Sequence, residues 1–206
     1  MRIGRLVGAL LATLLAPGVA LAEDPPPNGV FLVAKRHLLD PNFHEAVVLV
    51  TQHASGSPVG VIVNRPTKVP LSRIFPDNDR LKDAPDTVFF GGPVSPQLLV
   101  YVFRAQSHPK DALRMLEDVY LSFDAELLVE LLGRVKPTVE LRVYAGYSGW
   151  GPGQLQEEIA RGDWHLVRAD AEMIFGKDPA RVWEEMLKRA TAKQVHAPAP
   201  ALSAGR

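Results

Sequence analysis

Residues 146–159 read GYSGWGPGQLQEEI, the most unusual stretch of this 206-residue chain. Four glycines and a proline fall within its first eight positions, around Trp150. Glycine reaches positive φ angles and lets other groups come close to the backbone, at a cost in chain entropy. An ordinary surface loop needs no such combination. The stretch therefore predicts a tight loop between a strand over residues 139–145 and a helix over residues 153–161.

Away from this loop, the chain consists of short apolar runs separated by turns. Helices are predicted after Asp124, which can cap a helix running to Arg134, and after Asp178, which precedes a proline at the first helical position. Strands do not alternate regularly with helices, which excludes a doubly wound sheet and predicts an α+β domain with a largely antiparallel or mixed sheet. The predicted strands cover residues 30–34, 45–52, 59–64, 87–90, 98–103, 119–122, 139–145 and 164–168.

Several sequence landmarks together resemble the YqgE/AlgH family of small bacterial proteins, whose biochemical activity is unsettled. The resemblance covers most of the chain, from about Gly29 to about Arg189. It implies a strongly curved, barrel-like sheet with helices packed outside. It also implies a cytosolic protein, whereas this chain has an additional N-terminal segment. The landmarks are FLVA at residues 31–34, FHEAVVLV at 43–50, GVIVNRP at 60–66, GGPV at 91–94, the 146–159 stretch, Trp164 and Trp183.

The N-terminal segment has the features of a secretory signal peptide over residues 1–22. Arg2 and Arg5 precede a short apolar run, and Ala-Leu-Ala at residues 20–22 forms a cleavage site before Glu23. The run is shorter than the roughly 20 apolar residues that span a membrane. We therefore expect export to the periplasm or the medium, without a stable membrane anchor. The alternative is a cytoplasmic protein whose start codon is assigned too far upstream.

The remainder of the chain is predicted to be one domain with short extensions. Removing residues 1–22 from the 206 leaves 184, a length that can bury a full core without disulfides. Residues 23–29 contain three prolines and are predicted to be a tether. The domain is expected to cover residues 30–190. Residues 191–206 are rich in alanine and proline and are predicted to be a disordered tail.

Composition excludes several functional classes. The chain has no cysteine, so thiolate chemistry and disulfides are excluded. Lys and Arg total 23, as do Asp and Glu, and nothing indicates the basic face that nucleic acid requires. The six histidines lack the spacing of a helical zinc site. We expect no metal, no cofactor and no nucleic-acid partner.

The glycine-rich loop nearly matches the nucleophile elbow G-x-S-x-G around Ser148, but Trp150 replaces its final glycine. An elbow also places its serine directly before a helix, whereas here five residues intervene. The sequence therefore predicts no catalytic residue. An exported hydrolase using Ser148 is kept as an alternative.

Three segments that follow predicted strand ends are candidates for one binding cleft. Strand-end loops commonly carry binding sites on a rigid scaffold. Arg65 can clamp an anion bidentately, and glycine-rich backbone leading into a helix can offer amides to it. We expect a cleft for a small anion or a peptide carboxylate. The rival interpretations are three unrelated turns, or glycines that merely let Trp150 fold onto the sheet. The site residues are Asn64, Arg65, Gly91, Gly92, Pro93, Gly149, Trp150, Gly151, Gly153 and Gln154.

These observations favour a non-enzymatic binding or regulatory module, exported, with a small anion, a peptide or a protein as partner. A transcriptional regulator, a label that the resembling family sometimes carries, is the alternative if the N-terminus is not a signal. The sequence leaves the ligand and the oligomeric state open.

Overall fold

The structure, a computed structural model, describes residues 29–52 and 56–195. The predicted signal peptide, the tether up to residue 28 and the last part of the predicted tail, residues 196–206, lie outside this range. Among the described residues there are ten strands and five helices. The strands are β1 (Val30–Ala34), β2 (Val47–Gln52), β3 (Pro58–Ile62), β4 (Pro66–Pro70), β5 (Thr87–Phe90), β6 (Val94–Arg104), β7 (Ala112–Arg114), β8 (Val119–Ser122), β9 (Leu141–Gly149) and β10 (Trp164–Arg168).

The strands form one curled, mostly antiparallel sheet, a half-barrel with helices packed around it. Its order is β10-β1-β2-β3-β9-β6-β8-β7, and β5 joins it by pairing in parallel with β9. The last strand in the sequence, β10, thus pairs with the first, β1, from Val30↔Arg168 to Ala34↔Trp164. This architecture confirms the predicted α+β class with a curved sheet and helices outside.

The helices are α1 (Leu71–Ile74), α2 (Ala125–Leu132), α3 (Gln154–Arg161), α4 (Ala171–Phe175) and α5 (Pro179–Val195). The predicted cap of α2 is confirmed, because the Asp124 carboxylate accepts a hydrogen bond from the Leu127 N–H at 2.8 Å. Gly162 ends α3 in the left-handed conformation, at φ 92°. The predicted start of the tail at residue 191 falls inside α5.

Three apolar clusters hold the helices on the sheet. The largest joins β1, β2 and β9 to α4 and α5 through residues such as Phe31, Tyr144 and Met186. A second lies under α2, and a third packs Leu32, Trp150 and Trp164 beneath α3. β1 and β2 contribute to two of these clusters with alternate residues, which explains why their sequences are apolar without a break.

The glycine-rich stretch differs from its prediction. Strand β9 does not end at residue 145 but continues through the glycines to Gly149, and only residues 150–153 form the loop before α3. β9 continues because β3 and β6 offer partners on its two sides, at Val59↔Gly149 and Val94↔Tyr147. Neighbouring strands here override the local preference of glycine for turns.

Among the described residues, no helix is both long and apolar enough to cross a lipid bilayer.

Candidate functional site

Asn64 and Arg65 hold the loop that precedes β2. The Asn64 carboxamide accepts a hydrogen bond from the Val47 N–H and donates one to the Glu45 carbonyl, both at 2.9 Å. The Arg65 guanidinium donates to the carbonyls of Asn42 and His44, at 2.6 and 2.7 Å. Glu45 lies in the left-handed region, at φ 54°. Residues other than glycine rarely adopt this backbone conformation, so the hydrogen bonds from Asn64 and Arg65 hold the loop in an unfavourable shape.

Because Arg65 donates to backbone carbonyls, its guanidinium is committed to folding the loop. Burial lowers the pKa of Arg65, and the nearby Asp40 carboxylate partly raises it again. The bidentate anion clamp expected from the sequence would have to break these hydrogen bonds first.

The clamped loop places Phe43 between two tryptophans. Its ring stacks on Trp150, with centroids 6.3 Å apart, and meets Trp164 edge-on at 5.6 Å. One oxygen of Glu158 accepts both indole N–H groups, at 2.9 and 3.0 Å. Trp150 is only 5% exposed, as expected for a residue that fixes the loop on the core. Glu158 was not among the predicted site residues, although the two indole donors lie only 8 and 6 residues from it along the chain.

Gln154 completes this network at the start of α3. Its side-chain oxygen accepts from the Gly151 N–H at 3.1 Å, and its amide donates to the other Glu158 oxygen at 3.0 Å. Gly153 adopts the left-handed conformation at φ 79°, which lets the chain turn into the helix. Both residues therefore have structural roles.

The glycines of β9 and of residues 91–92 let two stretches of backbone cross closely. A Cβ on Gly91 would collide with the Gly146 carbonyl, and one on Gly146 would lie 2.6 Å from the Gly92 carbonyl. Gly146 also has a φ of 70°. Ser148 lies within this crossing, 0% exposed, and its hydroxyl donates to the Gly91 carbonyl at 3.0 Å. A nucleophilic role for Ser148 is therefore unsupported, because no substrate can reach its oxygen.

The three predicted segments are neighbours through their backbones but face different openings. The Phe90 N–H donates to the Arg65 carbonyl at 2.8 Å, and residues 91–92 lie against β9. Asn64 and Arg65 line a polar cavity of about 370 Å³ beside the first residues of α5. Gly149, Trp150 and Gly151 line another, of about 570 Å³. Pro93 is exposed beside the crossing.

We call the second of these cavities the apolar groove. It opens where β9 ends, between β3 and the beginning of β6, and the rings of Phe123 and Tyr147 meet edge-on there at 5.6 Å. Among the described residues, no charged side chain contributes to its lining. The sequence marked only the 149–151 part of it, since Phe123 and Leu98 stand in ordinary apolar runs. The lining residues are Ser57, Pro58, Val59, Val94, Leu98, Phe123, Tyr147, Gly149, Trp150 and Gly151.

One wall of the apolar groove is an irregular part of β6 that we call the β6 arm, residues 95–98. Val94 pairs with Tyr147 and Leu99 pairs with Ala145. The four residues of the arm thus lie opposite a single residue of β9, Gly146, and bulge out of the sheet. Ser95 has a φ of 46°, and the following three residues are exposed, Leu98 by 39%. The arm therefore leaves apolar surface and strand-like backbone at the mouth of the groove.

A larger cavity, of about 730 Å³, lies between residues 74–80 and α2. Asp77, Asp79 and Arg80 line it together with apolar side chains. Its size alone does not make it the better candidate, because none of the residues singled out in the sequence contributes to it. Within the described part of the chain, no group of three His, Cys, Asp or Glu side chains is arranged to hold a metal ion.

A search of known proteins matches residues 31–194 with the family model DUF179, described as AlgH-like. Two similar proteins, each named a UPF0301 protein, come from Streptomyces avermitilis and Streptomyces coelicolor. They are 39% and 40% identical to this chain, over 79% of it and 86% of each relative. A UPF0301 protein of Mycobacterium tuberculosis is 33% identical, over 83% of this chain and 86% of its own.

Two solved structures share the fold. The solution structure of the AlgH protein from Pseudomonas aeruginosa has a TM-score of 0.63 and 25% sequence identity, covering 89% of this chain and 98% of that one. A crystal structure of a protein from Corynebacterium diphtheriae has a TM-score of 0.62 at 24% identity, covering 86% and 90% of the two chains. The second resemblance concerns the fold alone.

Proposed function

Since this chain belongs to the AlgH-like family, for which no biochemical role is established, we propose from its geometry that it is a non-enzymatic binding module whose site is the apolar groove. The observation that carries the proposal is the uncharged lining of a 570 Å³ opening built on the glycine-rich end of β9. Openings of about 300–1,000 Å³ are typical of small-ligand sites.

The groove is formed by backbone that the surrounding contacts hold in place. The Trp150 side chain is held by Glu158 and by Phe43. The backbone N–H of Trp150 donates to the Pro58 carbonyl at 3.3 Å. On the other side, the glycine crossing fixes Tyr147 and Val94. A site fixed in this way loses little conformational entropy when a ligand binds.

The chemistry of the lining favours an uncharged, apolar ligand group. Aliphatic side chains and three aromatic ones surround the opening, and Ser57, the Tyr147 hydroxyl and the backbone supply its polar groups. A charged ligand group would lose its hydration without gaining a counter-charge. This chemistry favours the peptide or protein partner over the small anion.

The same lining supports a non-enzymatic role. The part of it that the structure describes contains no carboxylate, imidazole or amine, the groups that most often transfer protons in catalysis. Ser148, the residue behind the hydrolase alternative, is buried under the crossing and bonded to Gly91. We further propose that the module works outside the cytoplasm, on the strength of residues 1–22.

Binding of the neutral dye Nile red, followed by its fluorescence, tests the groove. We expect Leu98→Glu to abolish the binding, because it places a charge in an uncharged opening. Val139→Glu is the matched control, since Val139 is also exposed, by 60%, and does not line the groove. Equal dye binding by wild type and Leu98→Glu, with equal melting temperatures, would show that the groove is not the site.

A further inference from the structure

We propose that the apolar groove receives an extended peptide segment, which pairs as an additional strand with the β6 arm and places apolar side chains in the groove. The proposal rests on the proposed function, because it names the ligand class of the same site.

Among the described residues, no strand pairs with the β6 arm. β8 pairs with β6 only from Tyr101↔Ser122 to Arg104↔Val119, and beyond Ser122 the chain leaves the sheet to enter α2 at Asp124. The arm residues have no partner in the register with β8 or in that with β9. Strand backbone without a partner is a template for another strand.

The arm keeps most of its hydrogen-bonding capacity. Pro96 lacks an N–H, but Ser95, Gln97 and Leu98 each carry a donor, and all four residues carry a carbonyl. Of the other edge strands in the described sheet, β10 has five residues and no proline, whereas β4 and β7 are less suitable. β4 has proline at both ends, and β7 is three residues long. Prolines and short length are two common means by which proteins block pairing at sheet edges.

The groove supplies what a bare edge lacks, which is selectivity for side chains. Val94, which precedes the arm, and Leu98, within it, line the groove together with Phe123 and Tyr147. Side chains of a strand alternate between its two faces, so every second residue of an added strand would enter the groove. The uncharged lining requires those residues to be apolar. Main-chain bonds with pockets for alternate side chains are a recurring mode of peptide recognition.

The test uses two blocked hexapeptides of alternating threonine and leucine, labelled with fluorescein and followed by fluorescence anisotropy. In the second peptide, alternate backbone amides are N-methylated, so the side chains are the same but donors are missing. We expect the first peptide to bind with a Kd below about 1 mM and the second to bind about tenfold more weakly or not at all.

A pair of protein variants tests the arm itself. Gln97→Pro removes a backbone donor, and Gln97→Ala keeps it, so only the proline variant is expected to lose about tenfold in affinity for the first peptide. Both variants should bind Nile red as the wild type does.

The outcomes separate this inference from the proposed function. Nile red binding together with no peptide binding, or with equal binding of both peptides, overturns the added strand and leaves the groove in place. If the folded wild type binds neither Nile red nor the first peptide, both proposals are overturned.

Discussion

The Glu158 carboxylate binds three side chains around the glycine-rich loop. Its two oxygens accept hydrogen bonds from Trp150, Trp164 and Gln154, so one carboxylate joins β9, α3 and β10. Arg65 does the same for the loop before β2, by binding carbonyls rather than acids. The most conspicuous residues of the sequence thus shape the groove without entering it as reactive groups.

Trp150→Ala should destabilise the domain by about 3–5 kcal/mol, the range for truncation of a large aromatic side chain in a core. The change removes the stacking with Phe43 and leaves Glu158 with one indole donor fewer. Urea denaturation gives the free energy of unfolding. Trp150→Phe is the control that keeps most of the volume and should lose less. An unchanged free energy for Trp150→Ala would mean that the loop does not depend on this side chain.

Tyr144→Phe is expected to stabilise the protein, by about 1 kcal/mol, although it removes a polar group. The Tyr144 hydroxyl is the one side-chain polar atom, within the part of the chain the structure describes, that is buried without a hydrogen-bond partner. Its burial raises the pKa of Tyr144. Thermal melting measures the effect.

Tyr101→Phe is the matched control, because the Tyr101 hydroxyl donates to the Asp124 carbonyl at 2.7 Å. It should lose about 1 kcal/mol. A loss of stability in Tyr144→Phe as large as that in Tyr101→Phe would show that the Tyr144 hydroxyl has a partner in solution.

At the scale of elements, strands made of dense apolar runs could be predicted from the sequence. β1, β5, β8 and β10 have the predicted bounds, because β-branched and aromatic residues fill them and turn residues flank them. β4 and β7 escaped prediction, since β4 carries two prolines and β7 has three residues. Their pairing comes from the strands beside them, which a local pattern does not reveal.

The candidate site was predictable only in part for the same reason. Unusual residues identified Trp150 and Arg65, but their partners, the Asn42 carbonyl and the Glu158 carboxylate, stand in stretches with no unusual feature of their own. Residues 95–97 of the β6 arm were assigned to no element, because the predicted strand started at residue 98. The bulge between Val94 and Leu99 arises because these two residues pair with Tyr147 and Ala145 of β9. Such pairing between strands cannot be read from the sequence of β6 alone.

His165 makes the edge strand β10 sensitive to pH. Burial lowers the pKa of His165, and the positive charges of Lys35 and His37 lower it further. The unfolded chain, with a histidine pKa of about 6.5, then binds more protons than the folded one. Stability is therefore full above about pH 6.5 and falls as the pH decreases through the lowered folded pKa.

His165→Gln should make the free energy of unfolding less dependent on pH between about pH 5 and pH 7. Urea denaturation at the two values measures this for wild type and variant. His108→Gln is a comparison at a histidine on the far side of the sheet, beside Tyr120. If the free energy of unfolding of His165→Gln depends on pH as strongly as that of the wild type, His165 is not the source of this pH dependence.

At the scale of the whole molecule, export is the prediction that the first 22 residues carry. The mature protein should begin at Glu23 and be recovered outside the cytoplasm. N-terminal sequencing of the protein from fractionated cells checks this. A cytosolic product that retains residues 6–16, or one that starts further downstream, would contradict it.

The pairing of β1 with β10 sets the time at which the chain can fold during its synthesis. β1 lies between β2 and β10, and the Trp183 indole donates to the Ala34 carbonyl at the end of β1, at 2.8 Å. A ribosome must therefore complete residue 183 before the first strand can acquire all its neighbours. Contacts this distant form late, so the growing chain stays open for most of its translation. If the chain is exported as predicted, this order of events keeps it open enough to be threaded through a secretion channel.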